Sequence, residues 1–119
     1  MSDINGSLAT LMTIDGAVGC SIVDSASGMV LGESGGGVDM ELAAAGNSEV
    51  VKAKMSTMAS LGIKGEIEDI LITLENDYHI IRPLSKHKGL FVYIILSKAK
   101  SNLALARRKV QITEEALEV

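Results

Sequence analysis

Residues 14–33 read Ile14-Asp15-Gly16-Ala17-Val18-Gly19-Cys20-Ser21-Ile22-Val23-Asp24-Ser25-Ala26-Ser27-Gly28-Met29-Val30-Leu31-Gly32-Glu33. The pattern predicts two β-strands around a tight turn at Ser25 to Gly28. Val18, Cys20 and Ile22 alternate on one face, with Ala17, Gly19, Ser21 and Val23 on the other. Apolar or small residues on both faces mark a strand covered on both sides. Gly19 and Ser21 have almost no side chain, so a helix can approach the backbone closely there. Asp24 and Ser25 can bond their own backbone in the turn, and Gly28 supplies a positive φ.

Elements extend outward from this hairpin. Before it, Ile4, Leu8, Leu11 and Met12 recur at helical spacing, which predicts a short helix over about residues 3–13. After it, Ser34-Gly35-Gly36-Gly37 reads as a flexible loop, and Asp39 is placed to cap a second helix from about Met40 to Ser60. Leu61-Gly62 ends that helix, with Gly62 at the C′ position. Gly46 within it costs about 1 kcal/mol relative to Ala. From Glu66 to Glu75 the pattern turns to strand, Asn76-Asp77 makes a turn, and Tyr78 to Arg82 returns. Pro83 marks a strand end or a bulge, because it cannot donate to a ladder. Leu90 to Leu96 is a continuous apolar run expected to form a central strand. A last helix is expected over about Lys100 to Leu117. The result is one α+β domain over residues 1–119, of order α-β-β-α-β-β-β-α.

Composition excludes several classes of function. At 119 residues the chain can bury one core, which must be aliphatic because aromatic residues are only 3 %. That scarcity, with a net charge of −4, argues against nucleic acid as a partner. The single cysteine, Cys20, forbids an internal disulfide and reads as a small buried hydrophobe. No run approaches the roughly 20 apolar residues of a membrane span, and the first residues carry no signal-peptide pattern. The expected location is the cytoplasm.

The order of elements, with these residues, resembles the Roadblock/dynein light-chain family. Four segments carry the likeness. They are Gly16-Ala17-Val18-Gly19 with its Val23-Asp24-x-x-Ser27-Gly28-x-x-Leu31 hairpin; Ala44-Ala45-Gly46-Asn47 with Met55 and Met58; Ile70-x-Ile72; and the Leu96 to Leu105 stretch with Asn102. The middle helix and the Glu66 to Leu84 segment look most like stand-alone actinobacterial members. One departure is Asp15, where many relatives carry Pro. The resemblance implies a five-stranded antiparallel sheet with the first and last helices on one face and the long middle helix on the other. It implies dimers joined by sheet edges into ten strands. It also implies binding and regulation of small Ras-like GTPases, or an adaptor role, without enzymatic activity or cofactor.

Several groups invite chemistry. Gly32 to Gly37 lacks the Gly-Lys-Ser/Thr ending of a phosphate loop and leads instead to Asp39, so it reads as a connection. His79 and His87 have no ligand-spaced partners, so no metal is expected. Arg82 could be nominated as an arginine finger, but it reads better as a salt-bridged or solvated strand residue. Residues 66–77 hold five acids and no base, read as solvated strand ends. Residues 98–109 hold five bases and no acid, either a solvated helix face or a docking patch for an acidic partner.

Two surfaces are expected to matter. Ile70, Leu71, Ile72 and Leu74 lie on a strand that would be an aggregation hazard as a bare edge, so the expected partner is a second copy paired antiparallel over Glu68 to Glu75. A two-fold axis normal to the sheet keeps faces together and passes near Leu71 or Ile72. On the middle helix, Val51, Met55 and Met58 form a row within an apolar arc that looks wider than one sheet face needs, and they are expected to bind the GTPase. The rival reading is a profilin-like small-molecule sensory domain, weakened by the lack of aromatics and convergent polar groups.

Overall fold

Asp3 opens helix α1 (Ile4–Leu11) by accepting from the Gly6 N–H at 2.7 Å. The computed structural model describes residues 2–119; Met1, part of the stretch read above as lacking a signal peptide, lies outside the described residues. Strands β1 (Ala17–Asp24) and β2 (Met29–Gly35) form the expected hairpin. At its turn the Gly28 N–H donates to the Asp24 carbonyl at 2.7 Å, and Gly28 takes φ +76°. Helix α2 (Met40–Ser60) starts at Asp39, whose carboxylate accepts from the Glu41 and Leu42 N–H groups. It ends in a Schellman motif: Gly62 (φ +70°) donates to Ala59 and Ile63 donates to Met58. Strands β3 (Ile70–Thr73), β4 (Asp77–Pro83) and β5 (Leu90–Ser97) follow, and α3 (Leu103–Ala116) closes the chain behind an Asn102 cap.

The five strands form one antiparallel sheet in the order β2-β1-β5-β4-β3. The apolar run of β5 is the central strand, as its two-faced sequence requires. Val92, Ile94 and Leu96 face the layer with α1 and α3, joined by Leu8, Leu11 and Val110. Phe91, Tyr93 and Ile95 face α2, joined by Met40, Ala44 and Val51. The long helix thus has one sheet face to itself.

The structure corrects three details of the sequence reading. The ladder with β5 shifts between Ala17 and Gly19, so Val18 is an extra residue and the alternation breaks there. Val18 therefore packs on the α2 side, and Ala17 joins Cys20 and Ile22 on the other. Ser34 and Gly35 belong to β2 rather than to a loop, paired with Cys20 and Gly19. Only Gly fits at position 19, because a Cβ there would lie 2.1 Å from the Gly36 carbonyl oxygen. The third correction is the length of β3. Residues 66–69 are not strand; there Glu66 pairs with Lys88 and Asp69 with Arg107.

Cys20 is fully buried, with its Sγ 3.7 Å from the Leu8 carbonyl oxygen, and burial pushes its thiol pKa up to about 11. Native protein at neutral pH is therefore expected to resist a thiol reagent that labels denatured protein at once. Equal labelling rates in the two states would contradict this burial.

Candidate partner interface

Strand β3 has a neighbour on one side only, so it is an edge. Its free hydrogen-bonding groups follow from the hairpin. The Leu74 N–H donates to the Asp77 carbonyl at 2.8 Å, which makes that pair a hydrogen-bonded one. Pairs alternate, so Ile72 with His79 and Ile70 with Ile81 are hydrogen-bonded too. Leu71 and Thr73 then turn their N–H and C=O groups to the open edge. Ile70 and Ile72 are half-buried on the α2 side, whereas Leu71 and Leu74 are exposed. Four positions within five residues thus offer aliphatic side chains beside an unpaired ladder, with no Lys or Pro to block it.

The buried residues of α2 are Met40, Ala44, Ser48 and Val51, and none follows Val51. Met55 and Met58 continue the same helix face, but the second half of α2 overhangs the end of the sheet. Beneath the overhang runs an apolar groove of about 450 Å³. Its floor includes Leu84 and Phe91, and its far wall includes Ile63 and Ile67. The Lys88 Nζ and Glu66 Oε1 atoms meet at 2.7 Å, both side chains largely exposed at its rim.

The three residues singled out on this helix all line the groove, but they are not equivalent. Met55 is 47 % exposed and Met58 is partly exposed. Val51 is 2 % exposed and belongs to the core with Phe91 and Tyr93, so it is not a free contact residue. Part of the exposed apolar surface of α2 comes from this overhang. A second feature of α2 lies outside the row Val51, Met55 and Met58. Leu42, Gly46, Val50, Ala53 and Thr57 follow one another at helical spacing, all exposed and none charged. The missing charge along that line was the available signal.

Arg82 is held inside the fold. Its Nε lies 2.5 Å from Glu114 Oε1, and the two side chains are 13 % and 4 % exposed. The other carboxylate oxygen accepts from the Ser85 N–H at 2.8 Å and the Ser85 hydroxyl at 2.9 Å. Burial works to raise the Glu114 pKa, but the bonds from Arg82 and Ser85 outweigh it and hold the carboxyl below its ordinary value. The stability this brings is present above the ordinary carboxylate pKa and is lost as pH falls through the lowered one. Arg82→Ala strands a buried carboxylate, so about 3–5 kcal/mol of stability should be lost. Thermal unfolding at neutral pH checks this. An unchanged melting temperature would mean that the pair is not structural.

The remaining charged groups are less open than their sequence suggested. Arg107 is bound bidentately to Asp69 at 2.8 and 2.9 Å, and Lys98 lies 5.7 Å from the Tyr78 ring centre. The run of bases is thus not one continuous patch, and Asp69 is not a solvated strand end. His79 bonds the Tyr93 hydroxyl at 3.0 Å, and burial lowers its pKa. His87 reaches the Leu117 carbonyl at 3.1 Å. Among the described residues no cluster of His, Cys, Asp and Glu could hold a metal, and no helix is long and apolar enough to cross a membrane.

Neither a known family profile nor any curated protein matches the sequence. Solved structures do match in three dimensions. A Roadblock/LC7 domain from Streptomyces avermitilis superposes with a TM-score of 0.81 at 13 % identity, covering 97 % of this chain and 94 % of that one. MglB from Myxococcus xanthus gives 0.83 at 17 %, covering 94 % and 89 %. The gliding protein MglB from Thermus thermophilus gives 0.80 at 13 %, covering 92 % and 82 %.

Proposed function

Because the chain has the Roadblock/LC7 fold, we propose that it is a homodimeric, non-enzymatic regulator or scaffold of a small Ras-like GTPase, acting in the cytoplasm. The observation that carries this reading is the placement of its unpartnered apolar surface. The open β3 edge, the uncharged line of α2 and the groove under the α2 overhang all serve the α2 side of the sheet. Pairing of two β3 edges about a two-fold axis normal to the sheet brings both α2 helices to one side. The GTPase then meets a composite surface with Met55 and Met58 at its apolar contacts. Methionine suits that role because its flexible thioether adapts to a moving partner.

Arg82 is committed to Glu114 and supplies no arginine finger, and on this reading any effect on hydrolysis works without an inserted residue. The dimer instead favours one arrangement of the GTPase switch loops and shifts their population. The test is calorimetric titration of the small GTPase encoded nearest this gene, loaded with a non-hydrolysable GTP analogue or with GDP. Binding that depends on the nucleotide supports the reading. Heat-silent titrations with both forms reject it.

The groove also favours a second reading, a site for a small apolar molecule. It is open to solvent rather than enclosed in the core, and its rim offers a single ion pair for orientation. A ligand of that kind would raise the melting temperature in proportion to the logarithm of its concentration. A library screen without such a shift would discard this second reading.

A further inference from the structure

The homodimer reading leaves open how two β3 strands line up, and the structure narrows the choice. Residues that face each other across the axis must share a sheet face, so the axis passes through a residue rather than between two. Leu71 and Ile72 are the candidates within β3. An axis at Leu71 places one outward-facing pair, Leu71 with itself, inside the strand Ile70–Thr73. An axis at Ile72 sets Leu71 opposite the partner's Thr73 twice, so two hydrogen-bonded pairs fall inside the strand. It also seats exposed Leu74 against the partner's Ile70, and Ile72 against its own mate at the closer, non-hydrogen-bonded spacing.

That register has one electrostatic consequence. It brings Asp69 opposite the partner's Glu75, two carboxylates that would repel. The α3 side of β3 carries the remedy. Arg107 already holds Asp69 with two hydrogen bonds. Arg108 lines the same shallow cleft, and its contact to Gln111 is long, at 3.3 Å. Glu75 is exposed at the hairpin tip and makes no ion pair among the described residues.

We propose that two copies pair about an axis at Ile72, and that Arg108 of each copy meets the partner's Glu75 across the join, fixing the register. This rests on the homodimer reading, and the surface it defines takes a second copy of this chain. The base over β3 thereby converts a like-charge clash into a selective contact, which disfavours pairing with strands that lack the trailing acid.

The test is a charge exchange read by the dimer dissociation constant in sedimentation. Arg108→Glu should weaken the dimer about tenfold, because its carboxylate then meets the partner's Glu75; Glu75→Arg alone trades the Arg108 contact for one to the partner's Asp69 and serves to close the cycle. The double exchange should return it to within about threefold of the wild type. Effects that simply add in the double variant, or no loss in Arg108→Glu, would overturn the proposal while leaving the dimer standing. A monomeric wild type would remove the dimer itself. A second measurement reads the axis directly. Under mild oxidation Ile72→Cys should cross-link with its mate, because Cβ atoms across a non-hydrogen-bonded pair lie within disulfide reach. Cross-linking of Leu71→Cys in place of Ile72→Cys would put the axis at Leu71 and overturn the proposal.

Discussion

Ile72→Lys should turn the protein into a monomer at concentrations where the wild type is dimeric. Ile72 is a β3 residue on the α2 side, half-buried and without a neighbour on its outer flank. With the axis at this position the two introduced ammonium groups face each other. At about 5 Å and an effective dielectric constant near 20, their repulsion is about 3 kcal/mol. Two isoleucines also lose their mutual burial, each worth about 1.5–3 kcal/mol when complete. The combined effect exceeds about a hundredfold in the dissociation constant. The monomer itself should survive, because a lysine stem can lie along the apolar face and lift its charge into water. Sedimentation velocity with circular dichroism separates the outcomes. A folded dimer of unchanged affinity would show that β3 is not the joining edge.

Met55→Glu should abolish GTPase binding and leave the dimer intact. Met55 is 47 % exposed at the groove, so a carboxylate is hydrated in the free protein. Docking would strip that water in an apolar setting with no base assigned to it, a penalty of several kcal/mol. Val51→Glu is the informative contrast. Val51 is 2 % exposed among core residues, so the same change there should unfold the protein rather than uncouple it. A Met55→Glu dimer that binds its GTPase normally would move the docking surface elsewhere.

Most of the fold was legible because its signals are local. The Ser25–Gly28 turn, the Asp39 cap and the Gly62 stop all lie where their residue types place them. The two-faced run of β5 also identified the centre of the sheet correctly. What escaped was non-local. The Val18 bulge lies beside Gly19, a residue type that marks either a bulge or a close backbone approach, and the ladder with β5 is what decides that the register shifts there. Where β3 falls short of the expected strand, Glu66 and Asp69 pair with Lys88 and Arg107, which lie far along the chain. The partner row on α2 was legible as a stripe but not as a surface. Spacing places Val51, Met55 and Met58 on one face, yet only the length of the sheet beneath decides that Val51 is covered and Met55 is not. For Arg82 the sequence left a salt-bridged and a solvated strand residue open, and the choice rests on Glu114, which sits on another element and could not be named from sequence.

Hydrogen exchange, measured on the protein alone and with the GTP-loaded GTPase encoded nearest its gene, tests the central claim most directly. The account predicts that the Leu71 and Thr73 amides, which face the open edge of β3, are already protected in the free protein by pairing with a second copy. Addition of the GTPase should then slow exchange in the second half of α2, over residues 51–60, and leave α3 unchanged. Protection confined to residues 103–116, or none anywhere, would contradict it.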